Sequence, residues 1–221
     1  MATETPEMEA TAAPPDTLTW KDRGFVWLLW IWACVLGLGV GLFLGRLIGN
    51  PVSGTMFTFL SNFIGGIIIG TTVGFAQWLV LRSYFPREPF WMLANTIGWA
   101  IGWEVGWAVQ DRLSSSLGSV AAWALAWAII GAMVGLSGWF ILRRHVRGAG
   151  WWIVASIVGG SIGGSIGGYV YTLAFEVMGM VGASRVAMLV AMVSVFLGPG
   201  LAYGAVTGGV FALLVPRQRQ R

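Results

Sequence analysis

Charge is what this chain has least of. Only 10% of its 221 residues are Asp, Glu, Lys or Arg, against about 25% in soluble domains, and 57% are hydrophobic. A surface that poor in charge cannot meet water over its whole area, so the composition excludes an ordinary soluble domain and fits lipid. Cysteine is nearly absent too. Cys34 stands alone, which rules out an intramolecular disulfide and leaves no ligand set for a zinc cluster. Histidine is represented only by His145, in a basic connection between hydrophobic runs. No imidazole lies within a hydrophobic span to ligate a haem or a chlorin magnesium, although a carbonyl, Asn or water could serve a pigment instead. The same lack disarms Gly159–Gly160–Ser161–Ile162–Gly163 and Gly163–Gly164–Ser165–Ile166–Gly167, which match G-x-S-x-G but have no histidine base to take the serine proton. With no nucleophile–base pair and no metal cluster, an enzyme is not expected.

What the chain does contain is long apolar runs. Spans are expected at about 24–47, 55–81, 89–110, 119–142, 150–174 and 187–215, each long enough to cross a bilayer core of roughly 30 Å. Turns fall at Gly49–Asn50–Pro51, at Ser83–Pro89 and at Ser114, Ser115, Ser116 and Gly118. Pro199 lies inside the last span, where a kink is expected. Residues 1–19, with Glu4, Glu7, Glu9, Asp16 and three prolines, read as a disordered acidic tail carrying the wrong charge for a signal peptide. Residues 20–216 form the transmembrane domain and 217–221 a basic tail.

The net charge of +4 and pI near 9.8 reflect where the basic residues stand rather than a nucleic-acid surface. Lys21, Arg23, Arg82, Arg87, Arg143, Arg144, Arg147, Arg217, Arg219 and Arg221 flank one side of the spans, and Arg46, Arg112 and Arg185 the other. Ten against three predicts cytoplasmic termini at both ends.

The runs repeat. Trp30, Ala33, Gly37, Gly41 and Gly45 recur after 61 positions as Trp91, Ala94, Gly98, Gly102 and Gly106, and again as Trp152, Ala155, Gly159, Gly163 and Gly167. Gly70, Gly74, Trp78, Leu81 and Arg82 recur as Gly131, Gly135, Trp139, Leu142 and Arg143, and in the last unit the interval grows to 73. The twelve extra residues fall around Tyr169–Met180, expected as an extended span end or a short interfacial segment. The fold class that follows is an all-α membrane protein whose six transmembrane helices form three tandem hairpins of parallel orientation, at about 24–82, 83–143 and 146–216. The glycine ladders, four residues apart on one helix face, let a neighbouring backbone approach closely. The fifth span carries two of them, which places it near the centre of the bundle.

Candidate chemistry is sparse. Glu104 is the only acid deep within a span, and an intramembrane carboxylate suggests an ion, proton or ligand site. Asn62 should lie at a similar depth, and Arg46, from a neighbouring first span, could reach Glu104; a structural ion pair or a neutral acid bonded to Asn62 is the plainer alternative. Gln77 and Asn95 share a level nearer the basic side, either as a hydrogen-bonded pair between helices or as a polar contact to a headgroup, quinone or pigment. Trp20, Trp78, Trp91, Trp139, Trp151 and Trp152 fit an interfacial belt. Trp99, Trp103 and Trp107 lie deeper, and pack beside a glycine ladder, face lipid or offer an aromatic surface to a planar cofactor.

The phrase Gly70-x-x-x-Gly74-x-x-Gln77-Trp78-x-x-Leu81-Arg82 and its echo, Gly131-x-x-x-Gly135-x-x-Gly138-Trp139-x-x-Leu142-Arg143, resemble repeats in small uncharacterised bacterial multi-pass membrane proteins. The likeness runs from Trp20 to Val215; it departs at Gly138, where the glutamine is missing, and at Ala212 and Pro216, which replace the third Trp and Arg. It implies a membrane fold and no activity. The expected function is a non-catalytic membrane subunit or scaffold, packing against other membrane proteins or lipophilic cofactors such as a pigment or quinone. An accessory subunit of a photosynthetic or electron-transfer complex would suit this composition. The alternative is a small-solute or ion transporter using Glu104.

Overall fold

In a computed structural model the chain is described over residues 19–49, 58–85, 88–181 and 185–215, and these residues form helices with no strand among them. The six are α1 (Trp20–Gly49), α2 (Thr58–Leu81), α3 (Phe90–Leu117), α4 (Ser119–Leu142), α5 (Gly150–Val181) and α6 (Arg185–Leu214). The expected tail over residues 1–19 lies, apart from Thr19, outside the described residues, as do the Asn50–Pro51 turn, Arg87 and the basic tail over 217–221.

Local chemistry explains the boundaries. α1 starts on a reciprocal cap: the Asp22 backbone N–H donates to Thr19 Oγ1 at 3.3 Å, and the Thr19 N–H to Asp22 Oδ2 at 3.2 Å. α3 does not stop at Asp111 and Arg112 but continues through Ser114–Ser116, with the Ser116 hydroxyl donating to the Leu113 carbonyl at 3.1 Å. The expected serine turn is therefore a helical one, and the chain reverses at Gly118, whose φ of 78° is open to glycine and strained for other residues. The extra residues from Tyr169 onward continue α5 as far as Val181 rather than forming a separate segment. α6 runs through Pro199.

Five of the helices, all but α3, are long and apolar enough to cross a membrane. α3 falls short because Asn95, Glu104, Gln110, Asp111 and Arg112 dilute its apolar run.

Each helix packs on its two neighbours in chain order, and α6 returns to α1, so the six close into a ring. No helix occupies the middle: α5 touches α4 and α6 only, which corrects the expectation of a central fifth span. Its two glycine faces serve those two neighbours instead. A Cβ built on Gly163 would lie 2.8 Å from Pro199 Cα in α6, and one on Gly164 would lie 2.6 Å from the Trp123 carbonyl in α4. Gly37 and Gly41 meet α2 at Val73 and Ile69, Gly98, Gly102 and Gly106 meet α4, and Gly159 meets Tyr203 of α6. Gly45 is only in ordinary contact with Gly65, and Gly167 is buried. The second helices use glycine in the other direction. Gly70 abuts Thr96 and Trp99 of α3, Gly135 abuts Ile153 and Ser156 of α5, and Gly204 abuts Ile31 and Cys34 of α1. Every contact around the ring thus brings backbones together where a side chain is missing, the arrangement that van der Waals packing requires in lipid.

Candidate functional site

With no helix in the middle, side chains fill the axis. Trp30, Trp91 and Trp152 are each 0% exposed and meet there edge to face. Their ring centroids stand 6.1 Å apart for Trp30–Trp91, 5.5 Å for Trp30–Trp152 and 5.7 Å for Trp91–Trp152. Phe211 stacks on Trp30 at 4.2 Å. Trp91 and Trp152 therefore belong to the core and not to the interfacial belt expected for them. The belt positions that do reach the surface are Trp20 and Trp151, with Trp78 and Trp139 half-buried.

The buried polar residues gather around this triad. Trp30 Nε1 donates to Thr207 Oγ1 at 3.2 Å, and Trp91 Nε1 donates to Gln77 Oε1 at 3.3 Å. Gln77 Nε2 donates to Cys34 Sγ at 3.3 Å, Asn95 Nδ2 to the Trp91 carbonyl at 3.2 Å, and the Tyr203 hydroxyl to Ser156 Oγ at 3.4 Å. Gln77 and Asn95 do not bond each other, as one reading of the sequence expected; both turn to Trp91, which lies between them. Among the described residues Trp152 Nε1 has no hydrogen-bond partner. Its ring lies against Gly138, where an added Cβ would be 2.6 Å from that nitrogen, so glycine makes room for the indole and supplies no acceptor.

On the side of the triad away from Arg82 and Arg143, a small cavity of about 10 Å³, room for a single water, is lined by Cys34, Leu38, Val73, Trp99, Trp127, Gly200 and Tyr203. Trp99, Trp103, Trp107, Trp123 and Trp127 continue outward from it as an aromatic wall. Several of its rings meet edge to face, with Trp99–Trp127 at 5.9 Å and Trp107–Trp123 at 5.2 Å. Trp99 and Trp103 are buried by their neighbours, so they offer no open flat surface to a planar cofactor.

Glu104 is half-buried on α3, and its Oε2 is enclosed with no hydrogen-bond partner among the described residues. It does not line the cavity. Among the described residues it pairs with neither Asn62 nor a cation. α1 and α3, which carry Arg46 and Glu104, do not pack together, since α2 stands between them. Arg46's own side chain lies outside the described residues. Asn62 is half-buried on α2. Among the described residues no group of three His, Cys, Asp or Glu could hold a metal ion.

At the end of the ring marked by Arg82 and Arg143, the two connections are joined. His145 Nε2 is 2.9 Å from Glu88 Oε1, its Nδ1 lies 3.2 Å from the Ile141 carbonyl, and Phe85 packs edge-on to the imidazole at 5.2 Å. Nearby, burial and the Asp22 carboxylate push the Tyr84 hydroxyl above its ordinary pKa. Neither the triad nor the His145–Glu88 pair was anticipated from sequence. The recurrence of Trp at 30, 91 and 152 carried the signal for the first; nothing local signalled the second.

Comparison with protein-family models, curated proteins and solved structures gives no match. What fold and composition define is a class: an all-helical protein, closed into a ring, with five helices long and apolar enough to cross a membrane.

Proposed function

We propose that the chain is a non-catalytic integral membrane subunit or scaffold that packs against other membrane proteins. In this reading all six helices cross the bilayer, as three tandem hairpins of one orientation with the basic end in the bacterial cytoplasm. The observation that carries it is the filled axis. Trp30, Trp91 and Trp152 close the middle of the ring, and a solute would have to displace three fully buried indoles to pass. The hairpin repeat is supported by the same triad, because residues 61 apart in sequence meet at one point. The crossing of α3 is supported by its 28 residues, about 42 Å at 1.5 Å each, and by its place between α2 and α4. Outward, α1 presents Trp32, Leu36, Val40 and Phe43, all at least half exposed, to whatever surrounds the ring. The test is purification from the native membrane in mild detergent, with an absorption spectrum and identification of co-purifying chains. A stoichiometric partner supports the reading; a chain recovered alone and colourless counts against it.

One observation favours a second reading, transport of a small solute or ion: the unpartnered, enclosed Glu104 Oε2. In proteoliposomes the subunit reading expects no flux above empty vesicles and no effect of Glu104→Gln. A flux abolished by that substitution would establish transport instead.

A further inference from the structure

Two arginines at the basic end each stand over the tryptophan four residues before them. Arg82, just beyond α2, lies with Cζ 5.3 Å from the centre of the Trp78 ring. Arg143, just beyond α4, lies 4.7 Å over Trp139 and 4.7 Å over Phe140. Both guanidinium groups are exposed, and among the described residues neither has a carboxylate partner. The indole N–H groups of Trp78 and Trp139 likewise have no protein acceptor among the described residues. Each stacked arginine is therefore an exposed charged donor with no carboxylate partner among the described residues. Stacking on the indole also restricts the guanidinium, so less freedom is lost when an anion binds.

The apolar surface next to each pair matches as well. Phe75 and Leu79 are exposed on α2 beside Trp78, and Leu136 and Phe140 are exposed on α4 beside Trp139. These positions correspond at the same interval of 61. A strip of exposed hydrocarbon running up to an indole and ending at an unpaired cation has the layout of an acyl chain ending at a charged headgroup. From this geometry we infer two binding sites for anionic phospholipid, one at Trp78–Arg82 and one at Trp139–Arg143, with the lipid phosphate as the acceptor. In the last helix the corresponding positions are Ala212 and Pro216, so a third equivalent site is not expected. The occupant is lipid rather than free phosphate because the strips give its chains a place to lie. The inference goes beyond the subunit reading and holds whichever protein, if any, surrounds the ring.

The experiment is native mass spectrometry of the whole protein in mild detergent, titrated with phosphatidylglycerol, phosphatidylcholine or inorganic phosphate. Two retained phosphatidylglycerol molecules are expected. Arg82→Gln and Arg143→Gln should each weaken one of them about fivefold to tenfold, and the double variant both. Arg144→Gln, which removes an exposed charge that stacks on no ring, should change little. Trp78→Leu and Trp139→Leu, which keep the charge, should weaken the same two sites. Circular dichroism and gel filtration establish that each variant is folded before it is compared. Equal retention of phosphatidylcholine, equal losses for Arg144→Gln and Arg143→Gln, or inorganic phosphate competing at the same concentration as the lipid would each overturn the assignment.

Discussion

Replacing Gly163 by alanine isolates the packing term that holds the ring together. A Cβ at this position would sit 2.8 Å from Pro199 Cα and 3.0 Å from the Pro199 carbonyl oxygen. Carbon atoms in good contact stand about 3.5–4.0 Å apart, so α5 and α6 would have to separate locally by close to 1 Å. The atoms in the way are mainly backbone and cannot rotate aside. Overpacking of this kind costs about 1–3 kcal/mol. Alanine also favours helix over glycine by up to about 1 kcal/mol, which would mask part of the loss. Gly39→Ala supplies the correction, since nothing lies within 4 Å of a Cβ there and the propensity gain is shared. Equilibrium unfolding of the two variants in mixed micelles should therefore differ by the overpacking cost alone, with Gly163→Ala the less stable by about 1–3 kcal/mol. If the two unfold together, close glycine contact is not what joins α5 to α6.

Other consequences can be checked on the same preparation. Trp91→Phe should destabilise more than Trp152→Phe, by about 1–3 kcal/mol, because only the first strips buried Gln77 Oε1 of its donor. Cys34, buried and bonded by Gln77, should resist a membrane-permeant maleimide until the protein is denatured; rapid labelling of the folded form would contradict the filled axis. Tyr84 should ionise above its ordinary value of 10.0, chiefly through burial and then through the Asp22 carboxylate. Because the neutral form is the one favoured by folding, its contribution is complete below pH 10 and is lost as pH rises through the raised pKa. In ultraviolet titration, with Tyr84→Phe as the blank, Asp22→Asn should move that ionisation to lower pH.

Much of the helical outline was legible because hydrophobic runs and glycine turns are local signals. Residues 119–142, for example, are read the same way from sequence and in the fold. The errors arose where a local rule met a tertiary fact. Ser114–Ser116 suggested a turn, but a helix carries serines when their hydroxyls bond back to its own carbonyls, as Ser116 does. Trp91 and Trp152 looked interfacial because tryptophan near a span end usually is. Only the ring geometry shows that positions 30, 91 and 152 face one another. The Arg46–Glu104 contact assumed that first and third spans could touch, and periodicity cannot reveal that another helix separates them. Gln77 and Asn95 were expected to share a level, and their common partner, Trp91, depended on side-chain directions that sequence does not give.

Closure of α6 onto α1 turns a row of helices into a ring, and one crosslink tests it. A Cβ at Gly200 would lie 3.3 Å from Val35 Cα and 3.5 Å from Val35 Cγ2, close enough for a disulfide between those two positions. In a Cys34→Ala background, Val35→Cys with Gly200→Cys should form an intrachain bond under mild oxidation, seen as a faster-migrating, reducible monomer. A pair that stays free, or that links only separate molecules, would show that the first and last helices do not meet.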